Sequence, residues 1–295
     1  MRNMDAVITY VNGFDPLWRK SFEETTGKQA MAKRFRDWGT LPYLLRGIQE
    51  HIPSVDKVFL IVSSESQVPS WVDREKLNVV YHKDIIPEQF LPTFNSSTIE
   101  MFMHRIPDLG EEFLYFNDDM FPVMDCKKED FFKDGKSAIG FAHHLLAANK
   151  YKKRVRNSDR QARKVAGKKP GLFFIRPQHT CSPMIKSMNE ELFHASRDVI
   201  YSVISRLRNA HTFNQYLFLD YQYLAGLGVS RRISNRHISL AAVSPERLAA
   251  AIVSPDRQIV SINDVEMSPE RFHLLRRTML EAFSRHFPEK SVYER

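Results

Sequence analysis

Two carboxylates stand side by side at Asp118 and Asp119, directly after the apolar run EFLYF (residues 112–116) and Asn117. Adjacent acids at the end of a buried strand can hold a divalent cation against a diphosphate. Mg²⁺ keeps most of its coordination sphere for water and phosphate oxygens and takes only one or two protein carboxylates. The same triplet in an ordinary loop would merely cap or solvate the turn. A second polar cluster, Asn12-Gly13-Phe14-Asp15, follows the β-branched run AVITYV. A third is LPTFNS (residues 91–96), with Glu100, His104 and Arg105 beyond it. A helix beginning near Ser96 would offer backbone N–H groups to a phosphate and place Glu100 and His104 on one face. The plainer reading of that stretch is a capped amphipathic helix with a surface ion pair. His143 and His144, being adjacent, point to opposite faces of a strand and do not read as a joint ligand pair.

Several familiar constellations are missing. The chain contains no G-x-G-x-x-G, P-loop, G-x-S-x-G or H-E-x-x-H sequence, which disfavours a dinucleotide dehydrogenase or a P-loop kinase. Its two cysteines, Cys126 and Cys181, lack the paired spacing of structural zinc and are too few for a disulfide-stapled secreted domain, so they read as free thiols.

The elements that must position these groups are legible from patterning. Residues 6–11, 57–62 (KVFLIV), 78–81 and 112–116 read as buried strands. Residues 41–52 and 96–106 read as helices, the first opened by Pro42 and carrying Leu44, Leu45 and Ile48 on one face. This alternation predicts an α/β fold with a mainly parallel, Rossmann-like sheet. Ligands bind beyond the carboxyl ends of such strands, where the clusters at 12–15 and 117–119 would face one crevice. Later segments (182–194, 196–207, 213–227 and 268–286) read as helices and 230–253 as mixed, so the C-terminal half is expected to be mainly helical.

With 295 residues, 43% hydrophobic and 26% charged, the chain is an ordinary globular protein. No stretch is long and apolar enough to span a bilayer, and the first ten residues do not form a signal peptide. The expected location is cytoplasmic, with room for a peripheral contact at the inner membrane face. The net charge of +8 comes from residues 149–170, where ten basic residues between Lys150 and Lys169 face a single acid, Asp159. Such a run is usually a solvated face. It could also attract a phosphate-containing polymer or an anionic membrane. Nucleic acid is disfavoured, since only Tyr151 interleaves with the charge. The organisation read from this is an α/β core at 1–148, a basic and flexible insertion at 149–170, and a helical region at 171–295 that completes the site.

Taken in order, the segments resemble the Stealth family. MDAVITYVNGFDPLW (residues 4–18) is similar to its first block. RFRDWGTLPYLLRGIQEHIP (34–53), VPSWV and YHKDIIPEQFLPTFNSSTIEMFMHRIPDLGEEFLYFNDDMF (81–121) are similar to its second. HTCSPMIKSMNEELF (179–193), with Leu207-Arg208-Asn209, is similar to its third. SIND (261–264), continuing to HFPEKSVYE (286–294), is similar to its fourth. The resemblance implies a GT-A-like nucleotide-sugar core and transfer of a hexose-1-phosphate, often an N-acetylhexosamine-1-phosphate, from a UDP-sugar to a sugar hydroxyl. UMP would leave, with Mg²⁺ or Mn²⁺ assisting, in capsule or exopolysaccharide synthesis.

Joined to residue type, the resemblance implies Asp118, Asp119 and Asp264 as metal ligands, and Arg46, Arg105 and Arg208 as phosphate clamps, where a planar fork suits better than an ammonium. His179 is implied as general base, with His104 second. Asn95, Ser96, Asn117 and Asn263 would orient donor phosphates or sugar, and Asn12, Gly13 and Asp15 would lie near the uridine. Asn12, Tyr10, Ser97 and Cys181 depart from the family's usual Asp, Trp, His and Pro, and Asn12 keeps an oxygen but loses a charge. The rival readings are an ordinary glycosyltransferase releasing UDP and a non-catalytic polyanion-binding protein.

Overall fold

The computed structural model describes residues 3–30 and 35–295. Arg34, the first residue of the second block, and the first two residues of the N-terminal stretch lie outside the described residues.

Thirteen strands lie among the described residues, in chain order β1 (Met4–Thr9), β2 (Val55–Val62), β3 (Asn78–Tyr81), β4 (Glu112–Asn117), β5 (Met120–Pro122), β6 (Phe132–Lys133), β7 (Lys136–Ala138), β8 (Phe141–His144), β9 (Phe174–Pro177), β10 (Ser182–Ile185), β11 (Gly228–Val229), β12 (Asn235–Ser239) and β13 (Ile259–Asn263). The helices that matter to the site are α1 (Pro16–Thr26), α2 (Leu41–His51), α3 (Ser96–Glu100), α4 (Lys150–Val165), α5 (Lys186–Val203), α6 (Tyr216–Leu224), α7 (Pro245–Val253) and α8 (Pro269–His286).

The central sheet has the order β10-β4-β1-β2-β3. β1 is parallel to both β2 and β4, and β2 to β3. The expected α/β fold with a mainly parallel sheet is therefore what forms. β1 is buried along its whole length, as suits a central strand covered on both faces. Thr9 lies level with Ile61 on one side and Asn117 on the other, so the strand ends reach one rim together.

Two antiparallel pairings then decide what meets there. β10 adds to the edge of β4 with Ser182 opposite Tyr115, and continuing that register three residues brings position 179 level with 118. β5 pairs with β13, with Ser261 opposite Met120, and the N–H of Ile262 donates to the Asp119 carbonyl at 2.8 Å. Residues 179–181 and 262–264 therefore bracket the acidic turn. Gly47 on α2 makes this possible: a Cβ there would come within 2.3 Å of the Pro122 carbonyl oxygen.

Three elements differ from the sequence reading. Residues 182–185 form β10 rather than the start of a helix, because all four are buried on the β4 edge. Residues 96–106 split into α3 and a 3₁₀ turn at Met103–Arg105. The basic segment is not a flexible insertion but helix α4. Asn149 caps it by accepting from the Lys152 N–H at 2.8 Å, and Val155, Ser158, Asp159 and Ala162 bury one face by three- and four-residue spacing. That face rests on α6 and β9, leaving the charges to the other side. Cys126 and Cys181 are buried free thiols.

Candidate active site

The rim of the sheet opens into a cavity of about 470 Å³. Its floor is Thr9, Tyr10, Asn117, Asp118 and Asp119. One wall carries His179 with Ile262, Asn263 and Asp264. Another carries Asn95, Ser96, Ser97 and Glu100 of the α3 turn, with Arg154 and Tyr151 of α4 and Arg208 from the loop after α5. Trp18, Phe35 and Phe94 form an aromatic side, packed edge to face or tilted at 4.8–5.5 Å.

Each polar group is held from behind. The Tyr115 hydroxyl donates to Asn117 Oδ1 at 2.7 Å and lies 2.9 Å from Thr9 Oγ1, fixing the start of the acidic turn. The His179 carbonyl accepts from Asn235 Nδ2 at 3.1 Å and Ser261 Oγ at 3.2 Å. Its ring Nε2 then lies 3.3 Å from Asp119 Oδ2. Burial alone would lower the His179 pKa, but the Asp119 charge and hydrogen bond outweigh it and the net shift is upward. Asn95, fully buried, caps α3 by accepting from the Ser97 N–H and donates to the Ser205 carbonyl. Arg208 donates to Ser96 Oγ at 2.7 Å and Arg154 to Ser97 Oγ at 3.0 Å. Two guanidinium groups thus converge on the opening of α3, across the cavity from the acids. Glu100, buried behind them, accepts from the Gln215 N–H at 2.8 Å. Burial raises its pKa despite that bond and the nearby arginines.

The acids themselves fit a divalent cation. Burial, then the charges of Asp119 and Asp37, push the Asp118 carboxyl up to about 8. Asp119 Oδ1 is buried with no hydrogen-bond partner. Like charges crowded together, with an orphaned oxygen, are what a bound cation would relieve. Among the described residues no three His, Cys, Asp or Glu side chains form a ready-made metal cage, and Mg²⁺ does not need one when phosphate oxygens complete its shell.

The remaining sequence-derived site residues fall elsewhere. Asp264 lines the cavity, but its Oδ2 lies 2.9 Å from Arg36 Nε and accepts from Trp38 Nε1 at 3.1 Å, while Oδ1 accepts from the Val265 N–H. It anchors Arg36 and Trp38 and has little capacity left for a metal. Arg46 is spent on structure: it pairs in bidentate fashion with Glu294 at 2.7 and 2.8 Å and donates to the Phe287 carbonyl, tying α2 to the last residues of the chain. His104 is buried against Phe193, with ring centroids 4.6 Å apart, and burial and then Arg105 lower its pKa to about 3. Arg105 lies over the rings of Phe102 and Phe193 at 5.0 and 5.1 Å. Neither lines the cavity. Asn12, Gly13 and Asp15 form the turn leading into α1. Asn12 Oδ1 accepts from the Phe14 N–H, and Asp15 accepts from Ser66 and Gln67 side chains and caps α1. A Cβ on Gly13 would meet the Phe35 carbonyl oxygen at 2.2 Å. The turn shapes the aromatic wall from behind and does not line the cavity.

Sequence reasoning missed Arg36, Asp37, Trp38, Arg154 and Gln215. Asp37 accepts from the Tyr10 hydroxyl at 3.1 Å and helps raise Asp118. The sequence RFRDW, polar and aromatic in alternation just before a helix, was a usable signal for the first three. Arg154 was hidden among nine other basic residues.

Residues 34–139 match the family model described as Stealth protein CR2, conserved region 2. The chain is 28% identical, over all of its own length and 99% of the other's, to the capsular polysaccharide phosphotransferase WcwK of Streptococcus pneumoniae. It is 28% identical over 99% of its length and 96% of the other's to the exopolysaccharide phosphotransferase cps2G of Lactiplantibacillus plantarum. It is also 41% identical to the receptor polysaccharide phosphotransferase WefC of Streptococcus oralis, over 45% of this chain and 42% of that one. Among solved structures, an active-site mutant of LgtC aligns with 92% of this chain and 95% of that chain, at a TM-score of 0.36 and 11% identity.

Proposed function

This chain belongs to the Stealth family and is a transferase, and we propose that it moves a hexose-1-phosphate, in the first instance an N-acetylhexosamine-1-phosphate, from a UDP-sugar to a sugar hydroxyl in the assembly of a bacterial surface polysaccharide. What carries the reading is the meeting of Asp118, Asp119, His179, Asn263 and Arg208 around one cavity, from segments distant in sequence.

In this reaction the acceptor hydroxyl oxygen attacks the β-phosphorus of the donor. The bond from that phosphorus to the bridging oxygen breaks, UMP leaves with the electron pair, and the acceptor sugar becomes joined through a phosphodiester. Transfer of this kind depends on in-line positioning and on neutralising the equatorial oxygens. Arg208 and Arg154 stand where they would clamp phosphate oxygens. Ser96, Asn117 and Asn263 would orient the donor, with Asn95 fixing the α3 turn behind them. His179 would take the hydroxyl proton at Nε2, with Asp119 orienting the ring and favouring the imidazolium that results. Asp118 and Asp119 would hold Mg²⁺ or Mn²⁺, which when bound supplies charge neutralisation between the two phosphates. The aromatic wall of Trp18, Phe35 and Phe94 suits a uracil or sugar face.

The test is product analysis after incubation with a panel of UDP-sugars, Mg²⁺ and a saccharide acceptor. UMP release with a phosphodiester product is expected. Release of UDP would instead mean attack at the anomeric carbon, an ordinary glycosyltransferase.

A further inference from the structure

One end of the β8–β9 pair brings exposed apolar side chains and a dense run of positive charge together in the sequence. β8 and β9 pair antiparallel with His144 opposite Phe174, and the chain just beyond this end of the pair carries four apolar side chains. Leu145 is 47% exposed, Leu146 71%, Leu172 77% and Phe173 48%. Leu145 directly follows β8 and Phe173 directly precedes β9, so all four leave from the same end of the pair and make its tip. Scattered exposed leucines need no explanation, whereas a contiguous set does.

Positive charge runs along the segment that joins the two apolar pairs. Lys168 and Lys169 precede Leu172 by four and three residues and are exposed, as are Lys150, Lys153 and Lys164 of α4. The Arg163 guanidinium carbon lies 3.9 Å from the Cβ position of Gly171, while its Nε pairs with Asp159 at 2.9 Å. Apolar residues that can enter the headgroup boundary, flanked by exposed lysines that can meet lipid phosphates, fit an anionic bilayer surface. A soluble polyanion would account for the charge but leaves the leucines without a partner. No helix among the described residues is long and apolar enough to cross a membrane, so the contact would be with one surface.

We propose that the Leu145–Leu146 and Leu172–Phe173 tip, with its flanking basic run, docks this chain on an anionic lipid surface. The geometry gives the docking a use. β9 starts at the tip and leads within five residues to His179, roughly 15–20 Å of chain, while α4 turns Tyr151 and Arg154 toward the cavity. A bilayer under the tip would thus present a lipid-borne acceptor near the site. That use rests on the transferase reading; the docking itself does not.

The experiment is co-sedimentation of the full chain with vesicles of phosphatidylcholine alone or with one-third phosphatidylglycerol, using Leu146→Ser/Leu172→Ser and Lys168→Glu/Lys169→Glu double variants. Both pairs are exposed, so near-ultraviolet circular dichroism should match the parent. Expected is binding to the anionic vesicles, weakened at least tenfold by either pair, with the leucine variant still retained on heparin as the parent is. Absence of binding to anionic vesicles by the parent would overturn the proposal. So would undiminished vesicle binding by the leucine variant, which would mark a purely electrostatic polyanion site. No donor or acceptor is present in this assay, so failure here leaves UMP release untouched. Failure of UMP release likewise leaves the docking intact.

Discussion

His179 Nε2 lies 3.3 Å from Asp119 Oδ2, although 60 residues separate them, because β10 pairs with β4 in the register that sets Ser182 opposite Tyr115. A single antiparallel pairing thus delivers an imidazole to an acidic turn built by a parallel sheet. The hydrogen bond fixes the ring, and the carboxylate favours its charged form. If His179 accepts the acceptor's proton, His179→Gln should lower turnover by about 10²–10⁴-fold with little change in KM for the donor. Steady-state UMP release, with circular dichroism as the fold control, checks this. Turnover within a few-fold of the parent would remove His179 from the chemistry.

Asp118 should show stability and activity moving in opposite directions. Its carboxyl is pushed up to about 8 by burial and then by Asp119 and Asp37. In the metal-free protein the folded state therefore holds a proton that the unfolded state releases near 3.8, and stability falls as pH rises from about 4 to about 8. Asp118→Asn removes that cost. Melting in EDTA at pH 8 should rise by about 2–6 °C, while metal-dependent transfer falls at least about 100-fold, since a ligand is lost. A variant that melts lower in EDTA and keeps its activity would contradict both halves.

How much of this could be read beforehand depends on whether the signal was local. The strands at 6–11, 57–62, 78–81 and 112–116 are short apolar runs bounded by turn residues, and their alternation with helices announced the parallel sheet. The acidic turn followed from the same local pattern. Residue-type reasoning had no access to engagement. Arg46 and Asp264 carry suitable groups, but Glu294 and the Arg36–Trp38 pair occupy them, and those partners come from far along the chain. His104 missed the cavity because the chain leaves helical geometry after Glu100, so residues four apart no longer share a face. The β10–β4 and β13–β5 pairings that close the site are non-local, and no periodicity within either strand reports its partner.

Arg154 provides a test of α4 as part of the site rather than as surface decoration. It donates to Ser97 Oγ at 3.0 Å and lines the cavity beside Arg208. Arg154→Ala should reduce kcat/KM by about 10–100-fold, the loss of one charge-assisted contact to phosphate. Arg154→Lys should recover only part of this, because a point charge does not reproduce the planar fork. The check is donor-dependence of UMP release for both variants. Equal kcat/KM in Arg154→Ala and the parent would return the whole helix to a surface role.

The acid limb of stability should be set in part by two buried imidazoles. Burial lowers His82 to about 4, and burial with Arg105 lowers His104 to about 3. His82 Nε2 and His104 Nδ1 are buried without hydrogen-bond partners, as suits neutral rings. In the unfolded chain both titrate near 6.5. Below that pH the unfolded state binds protons the folded state refuses, so their support is intact above about 6.5 and is lost as pH falls toward 4. Asp118 acts with the opposite sign over much of this range, so the informative quantity is a difference between variants in which its share cancels. His104→Gln, compared with the parent in EDTA by urea unfolding at pH 7, 6 and 5, should flatten the decline by roughly one proton, about 1.4 kcal/mol per pH unit at most. Parallel stability curves for the two proteins would show that His104 already carries a proton inside the fold, and the assignment of a neutral buried ring would fail.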